Sequence, residues 1–200
     1  MSASRLLSLV LGAALAMFTA AASGCLGISQ RGLLTQSPAA AKAYNEALRA
    51  NTRVVEVNRG VGRVFEATFT RFTPALRAAI EAEATRVHGA GSGGMPSLSQ
   101  PWAEAEVRGV LFFDAADPAL EDLARRPSTW RLALLLPSGP ASISEVRRLE
   151  LDDPSVQHFF PFVRPFGAAY ALVAPVGPEA LDGPIALEIA GPPAQAKISF

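Results

Sequence analysis

The sequence predicts a mainly β domain, a β-sandwich-like core with two or three appended helices. Three observations point there. About eight short apolar or alternating runs are separated by proline- and glycine-rich connections, the pattern of a sandwich. Two of these runs, residues 107–113 (VRGVLFF) and 130–136 (WRLALLL), are almost continuously apolar, as suits central strands buried on both faces. Two helical stretches accompany them, both before residue 90. The β–α–β order around residues 63–113 leaves one alternative open, an α+β sheet with helices on one face.

Each element has a local reason. Ser37 is placed to cap a first helix, with Pro38 at its first position and AAAKAYNEALRA after it. Tyr44 and Leu48 are four apart and share a face. Asn51 and Thr52 end that helix. Strands follow at residues 52–58 (TRVVEVN) and 63–71 (RVFEATFTR), joined by the hairpin glycines of Arg59-Gly60-Val61-Gly62. In the second strand Phe65, Ala67 and Phe69 alternate with Glu66, Thr68 and Thr70, so one face is expected in the core and the other in solvent. Thr73-Pro74 opens a second helix, PALRAAIEAEATRVH, closed by Gly89. Leu76, Ile80, Ala84 and Val87 form its apolar stripe, while Arg77, Glu81 and Glu83 are expected to point elsewhere.

Residues 89–101 (GAGSGGMPSLSQP) read as a flexible loop, and their glycines match neither phosphate-binding pattern, GxxxxGK[ST] nor GxGxxG. Beyond the loop the chain is mostly strand. Asp117-Pro118 opens a short helical turn. Residues 146–151 alternate as an exposed strand would, and 168–174 (AAYALVA) form another. The end, PIALEIAGPPAQAKISF, reads as a hairpin with a Gly-Pro-Pro turn. No internal repeat is present.

Composition limits the function. The 200 residues are 50% hydrophobic, with a mean hydropathy of +0.24. They carry 18 basic and 18 acidic side chains. A net charge of zero argues against nucleic acid as a partner, which demands a basic excess. A single cysteine excludes an intrachain disulfide framework and any multi-cysteine metal site.

Much of the hydrophobic excess sits at the N-terminus, MSASRLLSLVLGAALAMFTAAASGC. Arg5 precedes an apolar run at residues 6–22, and small residues follow, the order of a secretory signal. The run approaches the length of a membrane span, so a retained anchor is the other reading. Ala22-Ser23-Gly24-Cys25 resembles the lipobox of bacterial lipoprotein precursors. The resemblance covers residues 1–25. Small residues fit the two positions before the cysteine, and Ala22 stands where the family favours leucine. It implies cleavage after Gly24, lipid on Cys25, and a domain held at a membrane surface without spanning it. Leu26, rather than Asp, implies the outer membrane of a Gram-negative envelope, facing the periplasm.

The expected organisation is a signal peptide at 1–24, a lipidated N-terminus and tether at 25–36, and one β-rich domain at 37–200. Cleavage removes Arg5 and leaves 17 basic against 18 acidic side chains, so lipid rather than surface charge is the expected attachment. The expected function is a non-enzymatic binding or assembly module with an envelope protein as partner. The alternatives are a small-ligand or Ca²⁺-binding β-sandwich, and a hydrolase whose site is not legible.

No residue is assigned a catalytic role. The two histidines are His88, at a helix end where its partial positive charge suits the dipole, and His158, among aromatics. No GxSxG elbow is present. Asp114 and Asp117 follow one central strand, and Asp152 and Asp153 follow another. Strand-end loops cluster at the poles of a sandwich, where such acids can hold Ca²⁺. The competing reading makes Asp117 a cap, with Asp152 and Asp153 turn formers before Pro154. The same acids could also serve as a glycosidase pair, if their separation allowed. Phe159, Phe160, Phe162 and Phe166 form an aromatic cluster punctuated by Pro161 and Pro165. Core packing is the favoured reading of the cluster; the functional one is an exposed apolar surface that docks a partner or the bilayer.

Overall fold

The computed structural model describes residues 40–89, 105–181 and 183–200. The apolar leader, Ala22, Ser23, Gly24, Cys25, the tether, Ser37, Pro38 and most of the glycine-rich loop lie outside the described residues.

In chain order the elements are α1 (Lys42–Ala50), β1 (Thr52–Arg59), β2 (Gly62–Arg71), α2 (Pro74–His88) and β3 (Glu106–Ala115). A 3₁₀ turn (Pro118–Leu120) precedes β4 (Arg131–Leu136), β5 (Gly139–Ser142), β6 (Glu145–Leu149) and α3 (Pro154–Phe159). The chain ends with β7 (Ala168–Pro175), a second 3₁₀ turn (Pro178–Ala180), β8 (Ala186–Ala190) and β9 (Gln195–Ser199).

Two antiparallel sheets face each other. Sheet I has the order β1-β2-β3-β7-β6, and sheet II the order β5-β4-β8-β9. The period of two along each strand decides what fills each side. Phe65, Ala67, Phe69, Leu111, Phe113, Tyr170 and Leu172 point from sheet I towards Leu187, Ile189, Ala196 and Ile198 of sheet II. Trp130 sits edge-on to both Phe65 (5.3 Å between centroids) and Phe113 (5.4 Å), and its indole N–H donates to the Leu120 carbonyl at 2.7 Å. The intervening residues of sheet I, among them Val110, Phe112, Leu149, Ala169 and Ala171, meet Tyr44, Leu48, Leu76, Ala84, Val156 and Phe159 from the helices. The molecule is thus a β-sandwich with a helical layer on the outer face of sheet I.

That third layer corrects one expectation. Glu66, Thr68 and Thr70 are buried, because the helical side of sheet I covers the face that alternation alone assigns to solvent. The hydroxyl of Thr52 satisfies two neighbours there, donating to the Leu48 carbonyl at 2.7 Å and lying 2.8 Å from Thr70 Oγ1. A second correction concerns residues 130–136. β3 is central and buried on both faces, as expected. β4 is central in sheet II but only half-buried, since nothing among the described residues covers its outer face.

Local signals hold in several places. Thr73 Oγ1 accepts from the Leu76 amide and caps α2, with Pro74 at its first position. Asp117 caps the first 3₁₀ turn. The terminal hairpin forms with Gly191 N donating to the Ala194 carbonyl. α1 begins only at Lys42, because Ala41 is extended (ψ 144°). β5, a Gly-Pro-Ala-Ser segment with no strand signal, pairs at the edge of sheet II, where Pro140 costs no central ladder bond. Gly109 in β3 is required by close approach: a Cβ there would lie 2.4 Å from the Phe69 ring and from the Thr70 carbonyl.

Candidate functional site

The strand-end acids meet at one pole of sheet I. Phe113 pairs with Ala168 and Leu149 with Ala169, so the ends of β3 and β6 flank the start of β7. Asp114 and the pair Asp152–Asp153 therefore lie at the same end of the sheet, with β7 between them. Asp114 stands opposite Glu66 on β2, and two arginines bridge these carboxylates. Arg63 reaches Asp114 Oδ2 at 3.1 Å. Arg164 donates to Glu66 Oε1 at 2.5 Å and to Asp114 Oδ2 at 3.3 Å, and its guanidinium lies over the Phe112 ring at 5.3 Å. Asp117 accepts from the Ala119 amide at 2.9 Å, and Asp153 accepts from the Ser155 amide at 2.8 Å, which caps α3. Asp152 is exposed. Among the described residues no group of three or more histidine, cysteine, aspartate or glutamate side chains is arranged to hold a metal ion.

The aromatic cluster divides. Phe159, Phe160 and Phe162 are buried under sheet I, so the four phenylalanines do not form one surface. Tyr44 packs edge-on against Phe159, and Phe72 stacks on Phe160. Phe166 alone is presented to solvent, at 82% exposure. Two residues earlier, Arg164 staples the segment to Glu66 and Asp114. Two residues later, Ala168 begins β7. Gly167 between them has φ +105° and no room for a side chain, since a Cβ would meet the Phe112 ring at 2.7 Å. The β1–β2 hairpin presents a second exposed apolar residue, Val61, at the same pole, because Arg63 shares Asp114 Oδ2 with Arg164.

The histidines have separate fates. His88 is exposed at the C-terminal end of α2. His158 belongs to a polar cluster in the helical layer. Its Nε2 lies 2.9 Å from Oε1 of Glu83, whose side chain has no solvent exposure. Glu83 also accepts from Arg86 at 2.6 and 2.9 Å and from the Ala41 amide at 3.2 Å. Hydrogen bonds from Arg86 outweigh burial, and with His158 and Ala41 they hold the Glu83 carboxyl down at about 2. Tyr44 donates its hydroxyl to the Phe159 carbonyl, and burial pushes the phenol far above its usual range, with the Glu83 charge adding to it. Glu83 was expected on the solvent side of α2. The signal that places it inward is its spacing, seven residues from the buried Leu76 and hence on the same stripe. Val87, assigned to that stripe, is exposed.

A cleft of about 230 Å³ opens between the two sheets beside β6, lined by Leu123, Arg126, Ser128, Trp130, Arg131, Leu132, Ile143 and Val146. Asp122 holds one of its lining residues, Ser128. Burial would raise that carboxyl, but bonds from the Thr129 amide and hydroxyl and the Ser128 hydroxyl, at 2.8, 2.8 and 3.0 Å, bring it below its ordinary value. No sequence signal marked the cleft, because it is made by where β5 stops pairing.

No family model, no curated protein and no solved structure matches this chain.

Proposed function

We propose that this protein is a lipid-anchored lipoprotein of a bacterial cell envelope and acts as a non-enzymatic binding module, engaging an envelope protein through the loop pole around Phe166. Two features support the reading. Ala22-Ser23-Gly24-Cys25 supplies a lipobox-like cleavage and acylation site ahead of the domain. The observation that carries the binding role is the contrast within one segment: Phe159, Phe160 and Phe162 are buried, whereas Phe166 stands in solvent on a backbone fixed by Arg164 and Gly167. A rigidly held, exposed aromatic next to arginines has the composition of an interface anchor.

Metabolic labelling with a fatty-acid analogue tests the anchor. The wild-type chain takes up the label and Cys25→Ala does not; a Cys25→Ala chain that keeps the label overturns the assignment. A photo-crosslinking phenylalanine analogue at position 166 tests the pole, with the exposed position 87 as control. The expected result is a defined envelope adduct from 166 alone. Equal adducts from both positions would overturn the binding surface.

A further inference from the structure

We infer that the inter-sheet cleft beside β6 is a binding site for an anionic amphiphile, an alkyl chain carrying a carboxylate or phosphate head. The inference does not rest on the lipoprotein reading or on the Phe166 pole.

The cleft follows from the strand pairing. On one side of the sandwich the seam between the sheets is closed, where β1 runs beside β9 and Arg53 lies over the Phe200 ring at 5.4 Å. On the other side β5 pairs with β4 only from Ala133 to Leu136. The chain then crosses from sheet II to sheet I through Ile143, and the Ser144 amide joins the Val173 carbonyl at 2.8 Å. That crossing seals one half of the seam. The other half, opposite Trp130, Arg131 and Leu132, is left open, with Val146 of β6 as the facing wall.

The lining has two characters. Leu123, Trp130, Leu132, Ile143 and Val146 form an apolar floor and walls. Leu123 and Trp130 are themselves buried, so the floor is fixed before any ligand arrives. Arg126 supplies the charge. Arg126 donates through Nη1 to the carbonyls of Leu123 (3.3 Å) and Arg125 (2.9 Å), and no carboxylate pairs with it among the described residues. Arg131 borders the slot next to Leu132, but Leu132 pairs with the core residue Ile189, so the Arg131 side chain falls on the outer face of sheet II, where it meets Glu188 at 3.4 Å. Arg148 shares the face of Val146 on β6 and adds a second cation to this side of the molecule, with Glu121 as its counter-charge. Asp122, the acid bonded to the lining residue Ser128, is consumed by Ser128 and Thr129. A guanidinium beside an apolar slot complements an oxyanion attached to a hydrocarbon, since arginine's planar fork binds carboxylate or phosphate in two-point fashion. The volume equals roughly eight waters at about 30 Å³ each, enough for a medium-length chain and too small for a folded partner.

Photoaffinity labelling of the purified full chain tests the site. The probe is a decanoate bearing a diazirine at the chain end, with adducts mapped by peptide mass spectrometry. Labelling is expected within residues 123–146 and is competed by decanoate and by decyl phosphate, whereas decanol competes at least tenfold less well. Competition strengthens about two- to fourfold for each methylene added up to roughly eight carbons, then levels off. Arg126→Gln, at an exposed position, should lose at least tenfold in decanoate competition and leave that of decanol unchanged, whereas Arg131→Gln on the outer face changes neither. Val146→Trp, which fills the slot, should abolish labelling while its thermal melt reports that the domain is folded. Equal competition by decanol and decanoate, or adducts outside the cleft, would overturn the inference. Preference for decyl phosphate over decanoate would identify a phosphate head, and the reverse a fatty acid.

Discussion

Glu83 and His158 lie 75 residues apart in sequence, and their side chains meet at 2.9 Å. The contact joins α2 to α3. The other carboxylate oxygen of Glu83 takes the Ala41 amide and so joins α2 to the start of α1. α1 has no side-chain cap and no acidic residue in its first turn. Glu83 supplies from a neighbouring helix the negative charge that an N-terminus otherwise takes from its own sequence. One buried carboxylate thereby ties the three helices that cover sheet I.

Glu83→Gln keeps the shape of the side chain and removes its charge. Arg86, His158 and the Ala41 amide then face a neutral amide. Because Arg86 is half-exposed and water screens it, we expect a loss of about 2 kcal/mol near neutral pH, less than for a fully buried pair. The loss should depend on pH. The Glu83 carboxyl falls from about 4.5 in the unfolded chain to about 2 in the folded one. Its stabilisation is therefore complete above about 4.5 and fades as pH falls towards about 2. Denaturant melts of both proteins should differ at neutral pH and converge as the pH approaches 2. A gap that stays constant over that range would assign the loss to packing instead.

Gly109 predicts a severe effect from one methyl group. A Cβ at this position of the central strand would sit 2.4 Å from the Thr70 carbonyl oxygen, and a backbone atom cannot swing aside as a side chain can. Gly109→Ala should cost about 3 kcal/mol or more and lower the thermal midpoint by at least about 6 °C. Gly139→Ala is the control. Its Cβ meets open space, though its φ of +125° is strained for alanine, so a loss of about 1 kcal/mol is expected. Equal losses at the two positions would mean that β2 and β3 move apart easily.

The strands with clear periodicity were legible: residues 63–71, 107–113, 168–174 and the terminal hairpin all form. β5 was not, because Gly-Pro-Ala-Ser has no strand propensity and pairs only because the turn after Leu136 returns it to β4. α3 was hidden behind Pro154, whose start is legible only once Asp153 is seen as a cap. Alternation in β2 told which residues share a face but not that a helical layer covers the polar one. The site was less legible than the fold. Asp114 was singled out as a ligand, yet its arginine partners come from positions 63 and 164, and no local spacing connects them. The cleft depends on where a pairing ends, a property of two sheets that no single segment encodes.

The phenylalanine segment offers a direct contrast. Phe160 is fully buried and stacks near Phe72 and Phe162. Phe160→Ala should cost about 3–5 kcal/mol through lost contacts and the cavity left behind. Phe166→Ala removes an exposed ring and should change stability by less than about 0.5 kcal/mol. Chemical denaturation of the two variants checks both figures. A large loss at Phe166 would mean that its ring supports the fold and is not kept for a partner.

The carboxylates at the sheet-I pole predict the response to calcium. Asp114 is held by Arg63 and Arg164, Glu66 by Arg164, and Asp117 and Asp153 each spend an oxygen on a backbone amide. A cation would have to displace two guanidiniums, so millimolar Ca²⁺ should shift the thermal midpoint of the wild-type protein by less than about 1 °C. Arg164→Gln removes the bridge that neutralises both Glu66 and Asp114 and leaves two neighbouring carboxylates facing Arg63 alone. That variant should be destabilised by about 1–2 kcal/mol, since Glu66 is buried and Arg164 is partly exposed. Ca²⁺ should then restore part of the loss, because the freed carboxylates present oxygens on adjacent strands. Thermal melts of both proteins, with Ca²⁺ and with a chelator, separate the outcomes. A wild-type midpoint that rises by several degrees with Ca²⁺ would show that the strand-end acids hold the ion despite their arginine partners.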